Sequence, residues 1–566
     1  MEKFSKINYV RPDYKELKKK ISELLKKYEK ASSYEEQKKI TLEIEDIYKD
    51  LYDMEVISSV RNTINTADEF YENEENYIRK ESAGLTKIRR KQSELSINSK
   101  FRKEFDKEFG KLINYNTEQQ LRLLDPAIIP EEIKEGNLGQ KYSKTVATCS
   151  CDFRGEKCNF YGLLKHMQST DREERKEAFE AWAKMYKSVS KKLDGYYDKL
   201  VELRVQQAKK LGFKSYTDMA YLGMQRYDYT QKDVEVFRKQ VVEYIVPAAD
   251  KLYKEQAKRL GVKKLKFYDE QLVFPEGNAV PEGTTKQLVK KASQMYHELS
   301  KETGEFFDFM TKYELFDLET KPNKHMGGYM TFLPKRMAPF IFSNFNGTSA
   351  DVDVLTHEAG HAFQGYIGAR TQPLMEMASS TSEVNEIHSM SMEHFTYPWM
   401  ELFFGKNADK YRYSHLTEAL KVIPYLVAVD EFQHEVFKKP TMDAMGRRKV
   451  WKKLEKKYLP WRDYDGNEFL EGGGFWMQKQ HIFLYPFYYI DYALAATCAF
   501  QFYIKSLKDR EGAWKDYVEL CKAGGSKGYF DLLKLAHLKN PLKEGTLKKT
   551  VEDVVKQIGV LEKKLK

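Results

Sequence analysis

At 566 residues the chain can bury large cores and is expected to fold as one large body or as two to three domains. Its 41% hydrophobic and 32% charged residues are those of a soluble globular protein, and no apolar run approaches the roughly 18 residues needed to span a bilayer. The net charge of +10 is the small excess of 95 basic over 85 acidic residues, and the lysine runs at Lys18–Lys20 and Lys452–Lys457 have glutamates within or beside them. Without an arginine stripe interleaved with aromatics, neither nucleic acid nor membrane is expected as a partner. Five cysteines, and an N-terminus lacking the apolar core of a secretion signal, predict a reducing, cytoplasmic location.

From Asp13 to Leu124 the pattern is almost continuously helical. Leu17, Ile21, Leu24, Leu25 and Tyr28 form one stripe, and Ile40, Ile44, Ile47, Leu51 and Met54 form another, as in long antiparallel helices. Composition shifts between Ile128 and Cys158, where glycines and β-leaning residues around Thr145 to Thr148 predict a short hairpin near 140–160. Cys149, Cys151 and Cys158 fall in this hairpin; with no evident fourth metal ligand nearby they read as small, partly buried thiols. Helical periodicity returns from Gly162 through Leu211. A boundary is placed at 195/196, separating an N-terminal helical domain (1–195) from a C-terminal domain (196–566) that carries the H-E-x-x-H stretch described below.

Pro275, Gly277, Pro281 and Gly283 mark a loop at 274–284. Ala338 to Phe345 then reads as a strand, with Phe340, Phe342 and Asn344 alternating against Ile341 and Ser343. Read as an edge strand, Ala338, Phe340 and Phe342 would leave backbone groups free to pair with an extended ligand segment. Next comes DVDVLTHEAGHAFQGYIGAR, residues 351–370. Val352, Leu355, Ala359, Ala362, Phe363 and Tyr366 recur at helical spacing and make a packing face, while Asp353, His357 and His361 make a polar stripe beside it. In H-E-x-x-H on a helix, imidazoles four residues apart converge on one cation and leave the glutamate, Glu358, free to act as a base on water. Asp353, one turn before His357, is the candidate to orient that ring.

A third ligand is expected from the following helical pattern, 379–404, where Glu383, Glu386 and Glu393 share nearly one face. Spacing alone leaves all three open, and His388 points elsewhere on the wheel. Further on, Gly472, Gly473 and Gly474 make either a loop that closes over substrate or a tight turn, with Gly473 as the candidate contact. In HIFLYPFYYIDYALA, residues 481–495, Pro486 would sit in the first turn of a helix carrying Tyr488, Tyr489 and Tyr492, with His481 and Tyr485 in the loop ahead. Imidazole and phenol donors suit an oxyanion.

FNGTSADVDVLTHEAGHAF (345–363), EVNEIHSMSMEHF (383–395) and the 481–495 stretch together resemble the thimet oligopeptidase and oligoendopeptidase F family of zinc metallopeptidases, in its compact bacterial Pz-peptidase-like branch. The resemblance implies a mostly α, zincin-like gluzincin fold with a small β-sheet beside the active-site helix and helical walls around a channel that admits short peptides. It implies one zinc ion per chain on His357, His361 and Glu386, Glu358 as general base, and His481 and Tyr492 as donors to the carbonyl oxygen, with Tyr485, Tyr488 and Tyr489 as substrate contacts. The expected activity is hydrolysis of internal bonds in short peptides. A carboxypeptidase or dipeptidyl carboxypeptidase is the alternative, with Lys335, Arg336 or Arg370 holding a terminal carboxylate. A metal-binding scaffold is a third reading, against which the presence of Glu358 argues.

Overall fold

The computed structural model describes residues 1–565, built of helices with one two-stranded and one three-stranded sheet. It divides into two units: Met1–Leu124, Val280–Ala408 and Gln501–Lys539 make the first, and Asp125–Ala279, Asp409–Phe500 and Asn540–Lys566 the second. The boundary expected at 195/196 instead falls inside one unbroken helix, Arg172–Lys210. Its buried face, from Ala178 to Ala208, runs past that point without a break, so there is no exposed linker there.

In the first unit, Tyr14–Lys30 starts where the Asp13 carboxylate accepts the backbone N–H groups of Lys15 and Glu16, and Tyr34–Ile64 starts where the Ser33 hydroxyl accepts that of Glu36. The two predicted stripes meet: Ile21, Leu24 and Leu25 are buried with Ile40, Ile44 and Leu51, flanked by Leu17, Tyr28 and Ile47. The three-stranded sheet has the order Phe316–Glu319, Ala338–Phe345, Tyr329–Leu333, parallel in the first pair and antiparallel in the second. Ala338–Phe345 is therefore the central strand, not an edge. Its backbone is paired on both sides, and Ala338, Phe340, Ile341 and Phe342 are all buried, as in a strand covered on both faces. The two edges belong to Phe316–Glu319 and Tyr329–Leu333.

In the second unit, the β-leaning residues near Thr145 lie in the last turn of a helix, Ile129–Ala147. Propensity there yields to tertiary packing, with Tyr142 buried in that helix. The hairpin is shorter and later than the sequence suggests, Cys151–Phe153 paired with Glu156–Cys158. Arg154 and Gly155 connect its strands with φ of +49° and +85°, as a tight two-residue hairpin turn requires. Among the described residues no helix is long and apolar enough to cross a membrane.

Candidate active site

The H-E-x-x-H helix spans Ala350–Thr371. Its entry is fixed by Asp351, whose buried carboxylate accepts the backbone N–H groups of Asn346 (2.9 Å) and Gly347 (2.8 Å) and so closes the turn from the central strand. Val352, Leu355, Ala359, Ala362 and Phe363 are wholly buried, and the Phe363 ring packs against Phe306, Trp514 and Tyr517. The second helix, Ser382–Phe395, crosses at Gly360, where a methyl group would come within 2.7 Å of Ser389 Cα and 2.8 Å of the His388 carbonyl oxygen. Only glycine permits that approach. The Tyr517 hydroxyl donates to the same carbonyl at 2.9 Å, tying the second helix to a third, Arg510–Ala523.

This crossing brings three donors together. Glu386 Oε2 lies 3.4 Å from His357 Nε2 and 3.5 Å from His361 Nε2, and one ligand atom from each of the three residues lies within 4.8 Å of the others. The two rings are nearly perpendicular, with centroids 5.0 Å apart. Ser389 Oγ donates to Glu386 Oε2 at 3.0 Å and fixes the carboxylate. Burial opposes ionisation of Glu386, but His361 and His357 outweigh it and hold its carboxyl well below the usual range. Burial likewise opposes charge on His357, and Glu386 with Glu393 reverses this, raising the imidazole well above its ordinary value. Such a donor set demands positive charge at its centre, and two imidazoles with one carboxylate fit a divalent metal with an open position.

The ring of His357 is oriented by Glu393, not Asp353. Glu393 Oε1 is 2.6 Å from Nδ1, so with Nδ1–H donated there Nε2 presents its lone pair to the centre. Glu393 stands one turn beyond the crossing on the neighbouring helix, whereas Asp353 shares a helix with His357. Glu358 is buried beside the cluster, and burial raises its carboxyl above the ordinary value. Glu383 is also buried, and His388 turns its ring to Tyr517, where burial pushes it down to about 3 and keeps it neutral.

In the second unit the structure gathers the predicted aromatic residues around one histidine. His481 has its ring centroid 5.9 Å from Tyr485, 6.0 Å from Tyr488, 4.8 Å from Tyr489 and 6.1 Å from Tyr492. His481 lies in a short helix, Gln480–Leu484, rather than a loop, and the next helix begins at Tyr489, so Pro486 stands in the turn before it. That turn is strained at Phe487, with φ of +64°. It is held by Arg226, which donates to the Phe487 carbonyl (2.7 Å) and to the fully buried Asp491 (2.6 Å), and by Gln433, which accepts from Phe487 N–H (2.9 Å). Gly473 is a packing glycine, not a mobile cover. It has φ of +92°, and a Cβ there would lie 2.2 Å from the Arg448 carbonyl oxygen, so the glycines make a tight turn against Ala444–Tyr458.

Two histidines of one helix, a glutamate between them and a second glutamate from the crossing helix define a metallopeptidase. Residues 165–552 match Peptidase family M3 and residues 4–124 match the Peptidase M3 N-terminal domain. The chain belongs to peptidase family M3. Among solved structures it is similar to a Pz peptidase A with an inhibitor, at 42% identity over 99% of both chains with a TM-score of 0.94. It is similar also to a chain described as an oligoendopeptidase F from Bacillus anthracis strain Ames, at 40% identity over 99% of this chain and 98% of that one, with a TM-score of 0.90. An oligoendopeptidase-F from Enterococcus faecium, at 16% identity and a TM-score of 0.61 over 98% of this chain and 99% of that one, shares the fold. No curated protein matches the chain.

Proposed function

We propose that this M3 peptidase is a zinc-dependent oligoendopeptidase that cleaves internal bonds of short peptides. The observation that carries the reading is the convergence of His357, His361 and Glu386 beside the buried Glu358. Zinc, when bound there, supplies Lewis acidity toward a water molecule and the scissile carbonyl. Glu358 takes a proton from the attacking water and gives it to the leaving amine, a role suited to a carboxyl whose affinity for protons is raised by burial. Glu393 keeps the His357 lone pair directed at the metal position. His481 and Tyr492 donate to the developing oxyanion and Tyr485, Tyr488 and Tyr489 contact the substrate; these roles rest on the family resemblance. Because Ala338–Phe345 is central, the extended substrate pairs instead with an edge strand, Tyr329–Leu333, whose Phe332 packs against Gly365 of the H-E-x-x-H helix.

The carboxypeptidase alternative loses its cations. Lys335 is paired with Asp46 and Asp50, Arg336 with Asp53, and Arg370 donates to the Met337 and Tyr366 carbonyls while stacked on the Tyr366 ring. A count of only five cysteines suits a reducing, cytoplasmic compartment. The test is mass spectrometry of products from a length series of peptides blocked at both ends, with metal content measured alongside. Internal cuts with a length ceiling are expected; cleavage confined to free C-termini would move the protein to the carboxypeptidase class.

A further inference from the structure

The hairpin of the second unit carries a side-chain cluster that peptide hydrolysis does not use. Glu156 and Cys158 are two residues apart on one strand and so share a face, and Cys158 stands directly opposite Cys151. The chain then turns through Asn159, whose side chain accepts the Gly162 N–H at 2.9 Å, and the helix Phe160–His166 brings His166 back over that face. Gly162 makes this possible: a Cβ there would lie 3.3 Å from both the Cβ and the sulfur of Cys158. One ligand atom each from Glu156, Cys158 and His166 lies within 4.8 Å of the others.

We propose that Glu156, Cys158 and His166 form a second cation site, for a borderline divalent metal of the zinc class, independent of the catalytic centre. The histidine is prepared for this as His357 is. Its Nδ1 lies 2.6 Å from Glu174 Oε1, while Ser169 Oγ donates to Glu174 Oε2 at 2.7 Å. With Nδ1–H given to Glu174, the Nε2 lone pair faces the cluster, 3.9 Å from Glu156 Oε2. The Phe153 ring, 4.8 Å from the imidazole, holds its plane. The mixed sulfur, nitrogen and oxygen donor set selects zinc-class ions and disfavours magnesium and calcium, which take oxygen ligands. Binding converts the Cys158 thiol to thiolate and releases its proton to solvent. A water completes four-coordination. Cys149 lies outside the cluster, its Sγ donating to the Thr145 carbonyl at 3.2 Å. The site would clamp the hairpin onto the helix that follows it.

The catalytic set contains no sulfur, so cobalt distinguishes the two sites. The full chain, stripped of metal and titrated with Co2+, should show a near-ultraviolet thiolate-to-cobalt charge-transfer band, and zinc-loaded protein should hold two equivalents by elemental analysis. Cys158→Ser and, separately, His166→Gln should lose one zinc equivalent, and Cys158→Ser the band as well, with peptide hydrolysis unchanged; Cys149→Ser should lose neither. A single equivalent without the band in the unaltered chain, or a band that survives Cys158→Ser, would overturn the assignment and leave Glu156 and His166 as an ion pair over a buried thiol. His166→Gln keeps the test decisive if Cys158→Ser does not fold.

Discussion

Gly360→Ala separates active-site geometry from stability. Alanine is the better helix former by roughly 1 kcal/mol, so at a helix position free of neighbours the change would stabilise the chain. Here the new methyl would lie 2.7 Å from Ser389 Cα, 2.8 Å from the His388 carbonyl oxygen and 2.9 Å from Met392 Cβ, where ordinary contact begins at 3.4 Å. Two of these three atoms are backbone, so no side-chain rotation relieves the clash and the helices must part. Overpacking of this kind costs about 1–3 kcal/mol, which leaves a net loss of roughly 0–2 kcal/mol after the propensity gain. The effect on the site is larger. Glu386 precedes the contact by one turn, and a shift approaching 1 Å in a catalytic group costs on the order of 100-fold in rate. Denaturant unfolding together with hydrolysis of a blocked fluorogenic peptide gives both quantities: the expected result is a mild stability change with activity down by about two orders of magnitude. A variant that is more stable and fully active would refute the claim that this crossing sets the donor geometry.

Glu358→Gln should reduce peptide hydrolysis by at least about 100-fold while elemental analysis finds metal retained, since the carboxylate acts on the proton and not on the cation. Glu393→Ala should weaken metal binding by about 10–100-fold in competition with a chelator, and Asp353→Ala by less, because Glu393 receives His357 Nδ1–H. In the second unit, burial opposes ionisation of Asp463, but Lys264, the Asp465 backbone N–H and Lys266 outweigh it and lower its carboxyl to about 2 from 3.8. A depressed folded value means a stabilisation that is complete above pH ~4 and lost as pH falls toward 2. The melting temperature of Asp463→Asn should therefore lie below that of the unaltered chain at pH 5 and approach it at pH 2; a gap that stays constant over this range would count against the ion cluster.

What the sequence made legible and what it hid follow from the range over which each feature is determined. His357 and His361 are legible because four residues within one helix fix their own geometry, and the helix is announced by its packing face. Spacing alone does not choose among Glu383, Glu386 and Glu393, because the three share a face and differ only in position along the axis; the resemblance, not the periodicity, singles out Glu386. At 1.5 Å per residue they span about 15 Å, more than any one cation can reach. Selection is made by where the helices cross, at Gly360 against Ser389. Once that contact is set, the glutamate one turn before it meets both Nε2 atoms and the glutamate one turn after it meets His357 Nδ1. The placement of Glu386 beside both Nε2 atoms and that of Glu393 beside Nδ1 are thus two consequences of one glycine contact. The strand shows the same limit. The residues Ala338–Phe345 are evident from composition, yet whether that strand is an edge depends on the partner Phe316–Glu319, about twenty residues upstream and joined in parallel. A parallel pairing needs a crossover rather than a tight turn, so it leaves no local turn signal by which to recognise it.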